Sequence, residues 1–236
     1  DNKLTFVGLI ALVDPPRAGV KQSINTCHSA GVRVVMITGD NGETATSVAR
    51  QIGMNHDNIV ITGVELERMS DEELKDRVKD VNIFARVYPE HKMRIVSALQ
   101  ANQEVVAMTG DGVNDAPALK RASIGIAMGL RGTNVAKEAS DLILMDDNFN
   151  TIVKAIKNGR TIYNNIKKAI SYILVIHIPI ILASLFVPLF GLPLLLLPVH
   201  IVLLELIIDP TSSIIFQRLK PDQNIMKQPP RKINES

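Results

Sequence analysis

The chain has 236 residues, 46% hydrophobic and 21% charged, with a net charge of +2 and one cysteine. A lone thiol, Cys27, excludes a disulfide framework within the chain and is expected to pack a helix rather than carry redox chemistry. The 26 basic residues are balanced by 24 acidic ones and gather on no single segment, so nucleic acid is not an expected partner.

The opening residues, DNKLTFVGLIALVD, have no initiator Met and no basic region ahead of a cleavage site, so they are not read as a signal peptide. They begin almost at a strand, and the expectation is a piece of something longer. Short apolar runs then alternate with amphipathic segments. FVGLIAL precedes GVKQSINTCHSAG, RVVMI precedes NGETATSVARQIG, and NIFA precedes PEHKMRIVSALQ. VVAM precedes NDAPALKRA, followed by SIGIAM and DLILM. Buried strands alternating with helices predict an α/β domain with a parallel sheet covered on both faces. MSDEELKDRVKD, with Ser70 and Glu73 in a capping-box pattern, is read as a solvated surface helix.

From Phe149 the pattern is helical with little interruption, so a helix beginning in the soluble domain is expected to run into a membrane. Between Ala169 and Ile215 the only acidic or basic residues apart from histidine are Glu205 and Asp209. Two spans of ~20 apolar residues fit a transmembrane hairpin. Lys167 and Lys168 before it, and Arg218 and Lys220 after it, predict that both ends are cytoplasmic, with residues 190–193 as the outer turn. The tail KQPPRKINES reads as a mobile cytoplasmic linker.

In a parallel sheet the chemistry sits beyond the carboxyl ends of the strands. The loops expected there are ITGDN, ARVYPEHK and MTGDGVND. Asp111 and Asp115 are candidate ligands for Mg²⁺, a hard cation that favours carboxylate and phosphate oxygens. Thr38 and the amides of Gly39 and Asp40 can donate to phosphoryl oxygens, and Lys92 supplies a point charge for the same oxygens. Positioning and charge stabilisation are what phosphoryl transfer asks of a protein.

In the membrane half, Glu205 and Asp209 stand one above the other on a helix face. Each costs about 2.5–3.5 kcal/mol at the bilayer centre, which a bound cation or proton would offset. Pro210 leaves the carbonyl of Leu206 without its usual partner, and Pro179 does the same for Val175, near His177.

The order TGD, then a lysine, then GDGVND resembles the last three motifs of the haloacid dehalogenase superfamily. More narrowly, DPPR, MITGDN, FARVYPEHK and MTGDGVNDAPALK resemble the phosphorylation domain of P-type cation-transporting ATPases, closest to the calcium-pump branch. The likeness continues through ASDLILMDDNF, GRTIYNNIKKAISY and PVHIVLLELIIDP to IMKQPPR. It implies a haloacid-dehalogenase-like (Rossmannoid) domain over residues 1–150, a stalk helix over 151–168, a transmembrane helical hairpin over 169–216 and a cytoplasmic tail over 217–236. It makes Asp111 the Mg²⁺ ligand, has Asn114 and Asp115 order the phosphate and Lys92, and has Thr38 and Gly39 bind the phosphoryl group. Arg17, Asp40 and Arg86 match positions that touch nucleotide or a hinge, and a structural ion pair is the alternative for Arg17. Glu205, Asp209 and His177 match ion-binding positions.

The resemblance also implies ATP as cofactor with Mg²⁺, a plasma-membrane protein, and partners in the rest of the same pump: actuator and nucleotide-binding domains, other membrane helices, the bilayer and the transported cation. The family's nucleophilic motif DKTGT and its actuator motif TGES do not occur in these residues, so the nucleophile is expected outside them. Calcium pumps of the sarcoplasmic-reticulum type have an acid where Ile180 aligns, an asparagine at Glu205 and a threonine at Ile208, which leaves Ca²⁺, Mn²⁺ and protons open as cargo. The alternatives are a phosphatase domain anchored by a hairpin and a silent interaction module.

Overall fold

A computed structural model describes residues 15–54 and 59–231, together with Val7, Gly8 and Ile10. The expected first strand FVGLIAL, Asp14 of DPPR and the last residues of the tail lie outside the described residues, wholly or in part. The chain divides into two compact units, residues 1–28, 32–151 and 231–236 in the first, and 29–31 and 152–230 in the second.

Among the described residues the first unit holds six strands, paired in parallel in two sheets. β1 (Met36–Ile37), β2 (Val60–Thr62) and β3 (Ile83–Ala85) form one in the order β1-β3-β2. β4 (Ala107–Gly110), β5 (Ile124–Met128) and β6 (Leu142–Leu144) form the other, in chain order. Among the described residues β1 and β4 are edge strands whose outer sides pair with no other strand.

Helices α1 (Val20–Ser29), α2 (Gly42–Ile52), α3 (Gly63–Arg68), α4 (Asp71–Arg77), α5 (Pro89–Ala101), α6 (Ala116–Arg121) and α7 (Asn134–Glu138) lie between and around the strands. Local chemistry sets their starts. Asn41 caps α2 by accepting from the Thr44 amide at 2.8 Å, and Gly53 ends that helix with a φ of 77°. Thr62 and Glu65 form a reciprocal capping box on α3, and Pro89 starts α5.

β3 is buried along its whole length, and Phe84 sits in a core with Ile61, Leu66, Leu74, Val78 and Ile95. The segment read as a solvated helix therefore anchors the core. Leu74 of α4 and Val78 just beyond it are spaced i, i+4 and fully buried, while the charged residues cover the other face. Cys27 is buried on α1, and burial pushes its thiol pKa up, in keeping with a packing role.

The second unit contains most of α8 (Phe149–Leu189) and all of α9 (Pro198–Gln217). Both helices are long and apolar enough to cross a membrane, by length and composition. Gly191, with a φ of 71°, makes the turn after α8 inside the expected 190–193 stretch. The described part of the tail is tied down. Arg160 of α8 donates to the carbonyls of Ile225 and Gln228 at 2.9 and 2.8 Å and to Ala30 at 2.8 Å, and Lys168 pairs with Asp222 at 3.3 Å.

Candidate phosphate site and candidate ion site

Three loops at the carboxyl ends of β1, β3 and β4 carry the expected polar residues. The first two are knitted together by backbone bonds: Val87 N–H donates to Thr38 O at 3.1 Å and Arg86 N–H to Asp40 O at 2.8 Å. The hydroxyl of Thr38 accepts the Asp40 amide at 3.1 Å, a bond that preorganises the ITGD turn. Gly39 and Asp40 are exposed at its tip.

Arg86 has a left-handed backbone, φ 51°. The chain passes so close that a Cβ on Gly63 would stand 2.1 Å from the Arg86 carbonyl oxygen. Arg86 lines an open hollow of about 710 Å³ together with Asn41, Thr46, Arg50 and Thr62. Arg17 instead donates to the carbonyl of Asp147 at 2.6 Å, which gives it a structural partner.

On the third loop the two aspartates diverge. Asp115 is buried: its Oδ1 lies 2.5 Å from Lys92 Nζ, and Oδ2 accepts the amides of Asp111 and Gly112 at 3.2 and 3.1 Å. With three donors on its carboxylate, Asp115 holds Lys92 and the loop in place. Gly110 is obligatory here, since a Cβ would meet Asp115 Cβ at 2.5 Å. Asp111 is exposed, and among the described residues no donor engages its carboxylate. Its backbone is fixed by Thr133 N–H on its carbonyl at 2.9 Å. A free carboxylate on a fixed backbone suits a hard divalent cation, so Asp111 fits Mg²⁺. Asn114 is exposed on the same turn.

One residue of the first unit escaped the sequence reading. Asp147, with φ 47°, is buried, and its carboxylate accepts the amides of Leu130 and Arg131 at 3.0 and 2.9 Å. Burial raises its pKa, but these amides, that of Gly129 and the nearby Arg17 outweigh it and hold the carboxyl below its ordinary value.

In the second unit, His177 of α8 and Glu205 of α9 come together, Nε2 to Oε1 3.8 Å. His177 Nδ1 lies 2.9 Å from the carbonyl oxygen of Ile173. Asp209 follows one turn after Glu205, ahead of Pro210 inside the helix. Among the described residues no three His, Cys, Asp or Glu side chains converge tightly enough to enclose an ion.

The family model for haloacid dehalogenase-like hydrolase matches residues 2–123, and a second model of that description matches 93–156. The chain belongs to the haloacid dehalogenase-like hydrolases. Residues 193–236 match the model described as cation transporting ATPase, C-terminus, so the P-type cation-transporting ATPase likeness continues into the apolar half. The chain is 48% identical over 232 residues to a calcium-transporting ATPase of Bacillus subtilis, covering 98% of this chain and 26% of that protein. Calcium-transporting ATPase 1 of Bacillus cereus is 46% identical over 237 residues, covering 100% of this chain and 27% of that protein. Calcium-transporting ATPase 4, endoplasmic reticulum-type, of Arabidopsis thaliana is 45% identical over 243 residues, covering 100% and 23%. The chain thus spans about a quarter of the length of these relatives.

Proposed function

We propose that these residues form part of an ATP-driven cation pump that works through an aspartyl-phosphate. They supply its Mg²⁺ and phosphate frame and part of its ion site. The observation that carries this reading is the division of labour on the third loop. Asp115 neutralises and positions Lys92, while Asp111 keeps a free carboxylate. That arrangement presents an ammonium and an anion to the same region, which suits a phosphoryl group and its metal.

Mg²⁺, when bound, would screen the charge of the phosphoryl oxygens, with Asp111 as its protein ligand. Thr38, Gly39 and Lys92 would hold those oxygens, Asn114 would order the phosphate, and Arg86 and Asp40 would face the nucleotide. The nucleophilic aspartate would come from the remaining length of the pump. The outer edges of β1 and β4, which pair with no strand among the described residues and both end in site loops, suit a strand that carries it.

Other partners would be the actuator and nucleotide-binding domains and further membrane helices, in a plasma membrane with the first unit in the cytoplasm. Glu205, Asp209 and His177 would bind the cation. Two acids on an otherwise apolar helix favour this over a hairpin that merely anchors a phosphatase, since an anchor needs no carboxylates within a bilayer.

The test uses the full-length protein that carries these residues. Asp111→Asn should suppress Mg²⁺-dependent phosphorylation from ATP while the protein stays folded. Unchanged phosphorylation would remove Asp111 from the metal site and with it this reading of the loop.

A further inference from the structure

The pump reading names a cation without its class. The donor chemistry between α8 and α9 supplies that class, and the assignment rests on the pump reading. A carbonyl oxygen can only accept, so the 2.9 Å contact of His177 with Ile173 O puts the ring proton on Nδ1. Nε2, the other ring nitrogen, faces the Glu205 carboxylate at 3.8 Å. A ring nitrogen and a carboxylate oxygen that face each other in this way can share one metal ion.

The ring is also held as metal-ligating histidines are held, its other N–H on a backbone carbonyl that fixes tautomer and orientation. Donors about 2.0–2.2 Å from one ion stand roughly 3–4 Å apart, so the observed separation suits a shared ion. Asp209 adds a second carboxylate one turn along α9, and Pro210 withholds the N–H that would occupy the Leu206 carbonyl.

Nitrogen in this set is the discriminating feature. Ca²⁺ takes six to eight oxygens in its sites and gains little from imidazole. Manganese, iron, cobalt and zinc accept imidazole together with carboxylate. We propose that the cargo is a divalent first-row transition metal bound through His177 Nε2 and Glu205, with Asp209 beside them, rather than Ca²⁺. The remaining ligands would be backbone oxygens, water or groups from other membrane helices, because the described side chains alone do not enclose an ion. Relatives named calcium-transporting do not decide the matter, because cargo follows from the donors each chain presents.

The experiment takes the full-length protein in liposomes, with Mg²⁺ in excess to keep the phosphate site occupied. ATPase activity is titrated with Mn²⁺, Co²⁺ and Ca²⁺ in turn. In parallel, pulsed electron paramagnetic resonance of bound Mn²⁺ is examined for nitrogen modulation from an imidazole ligand. Mn²⁺ or Co²⁺ should activate at lower concentration than Ca²⁺, and the nitrogen modulation should be present.

His177→Asn should remove the modulation and raise the Mn²⁺ concentration for half-activation by roughly tenfold or more, with a much smaller effect on Ca²⁺. The wild-type spectrum needs no variant, so misfolding of the mutant leaves the proposal testable. Activation by Ca²⁺ at lower concentration than by Mn²⁺ or Co²⁺, or Mn²⁺ bound without nitrogen modulation, would overturn the cargo class and leave the pump reading intact. In the second case the His177–Glu205 contact is an imidazolium–carboxylate pair only. ATPase activity that no cation or pH change stimulates would overturn the pump reading itself.

Discussion

Lys92 Nζ sits 2.5 Å from Asp115 Oδ1, and the other oxygen of that carboxylate holds the amides of Asp111 and Gly112. A single buried side chain therefore fixes both the cation on α5 and the backbone of the β4 loop. Lys92→Ala should weaken phosphorylation from ATP in the full-length protein more than it weakens nucleotide binding. Removing a charge-assisted contact typically costs about 1.5–3 kcal/mol, roughly ten- to a hundredfold in rate. Equal losses in phosphorylation rate and nucleotide affinity would make Lys92 a general binding residue instead.

Gly110→Ala tests the same geometry without touching a charge. The new methyl would meet Asp115 Cβ at 2.5 Å, so the carboxylate must leave its place between Lys92 and the two amides. Strain of this kind typically costs about 1–3 kcal/mol. Thermal unfolding should show the loss of stability, and phosphorylation should fall with it. Wild-type stability together with wild-type phosphorylation would mean that the loop has room the structure does not give it.

The strands β1 and β3 to β6 were legible because each is an apolar run ahead of a polar loop. β2 was not, since Val60–Thr62 is a three-residue strand with no amphipathic alternation to mark it. Its neighbour α3 did leave a local trace, the Thr62–Glu65 capping box. Lys92, Asp111 and Asp115 were named from their loops, but the sequence could not say which aspartate is free. That depends on which carboxylate turns inward under Gly110. Asp147 was beyond reach for a similar reason, because its role rests on a left-handed backbone and on amides 16 and 17 residues earlier. The tail read as a free linker because its anchor, Arg160, lies more than sixty residues away in the chain.

Asp147 gives a pH dependence. Its folded-state pKa is depressed, so the stability it contributes is present above the unfolded-state value and is lost as pH falls through the folded-state value. An unperturbed aspartate titrates near 3.9, so the loss belongs below about pH 4. Asp147→Asn should lower stability at neutral pH and flatten the fall in stability across that acid range. Unfolding measured by denaturant at a series of pH values would display the difference. Parallel curves for the two proteins would show that the loop amides do not bind the charged form.

Glu205 and Asp209 occupy one face, one turn apart, in a helix otherwise apolar enough to cross a membrane. Acidic side chains in a membrane-crossing helix are costly unless a cation lies with them. Glu205→Gln and Asp209→Asn each keep the side-chain shape and remove the charge. Either change should abolish cation-stimulated ATPase activity in the full-length protein. Phosphorylation by inorganic phosphate should survive, because the frame built by Lys92, Asp111 and Asp115 belongs to the other unit and is left untouched. Loss of both activities together would point to a folding defect, which thermal unfolding of the same preparations would reveal. Wild-type activation of both variants by every cation and pH tried would make the acids structural and put the transport site elsewhere.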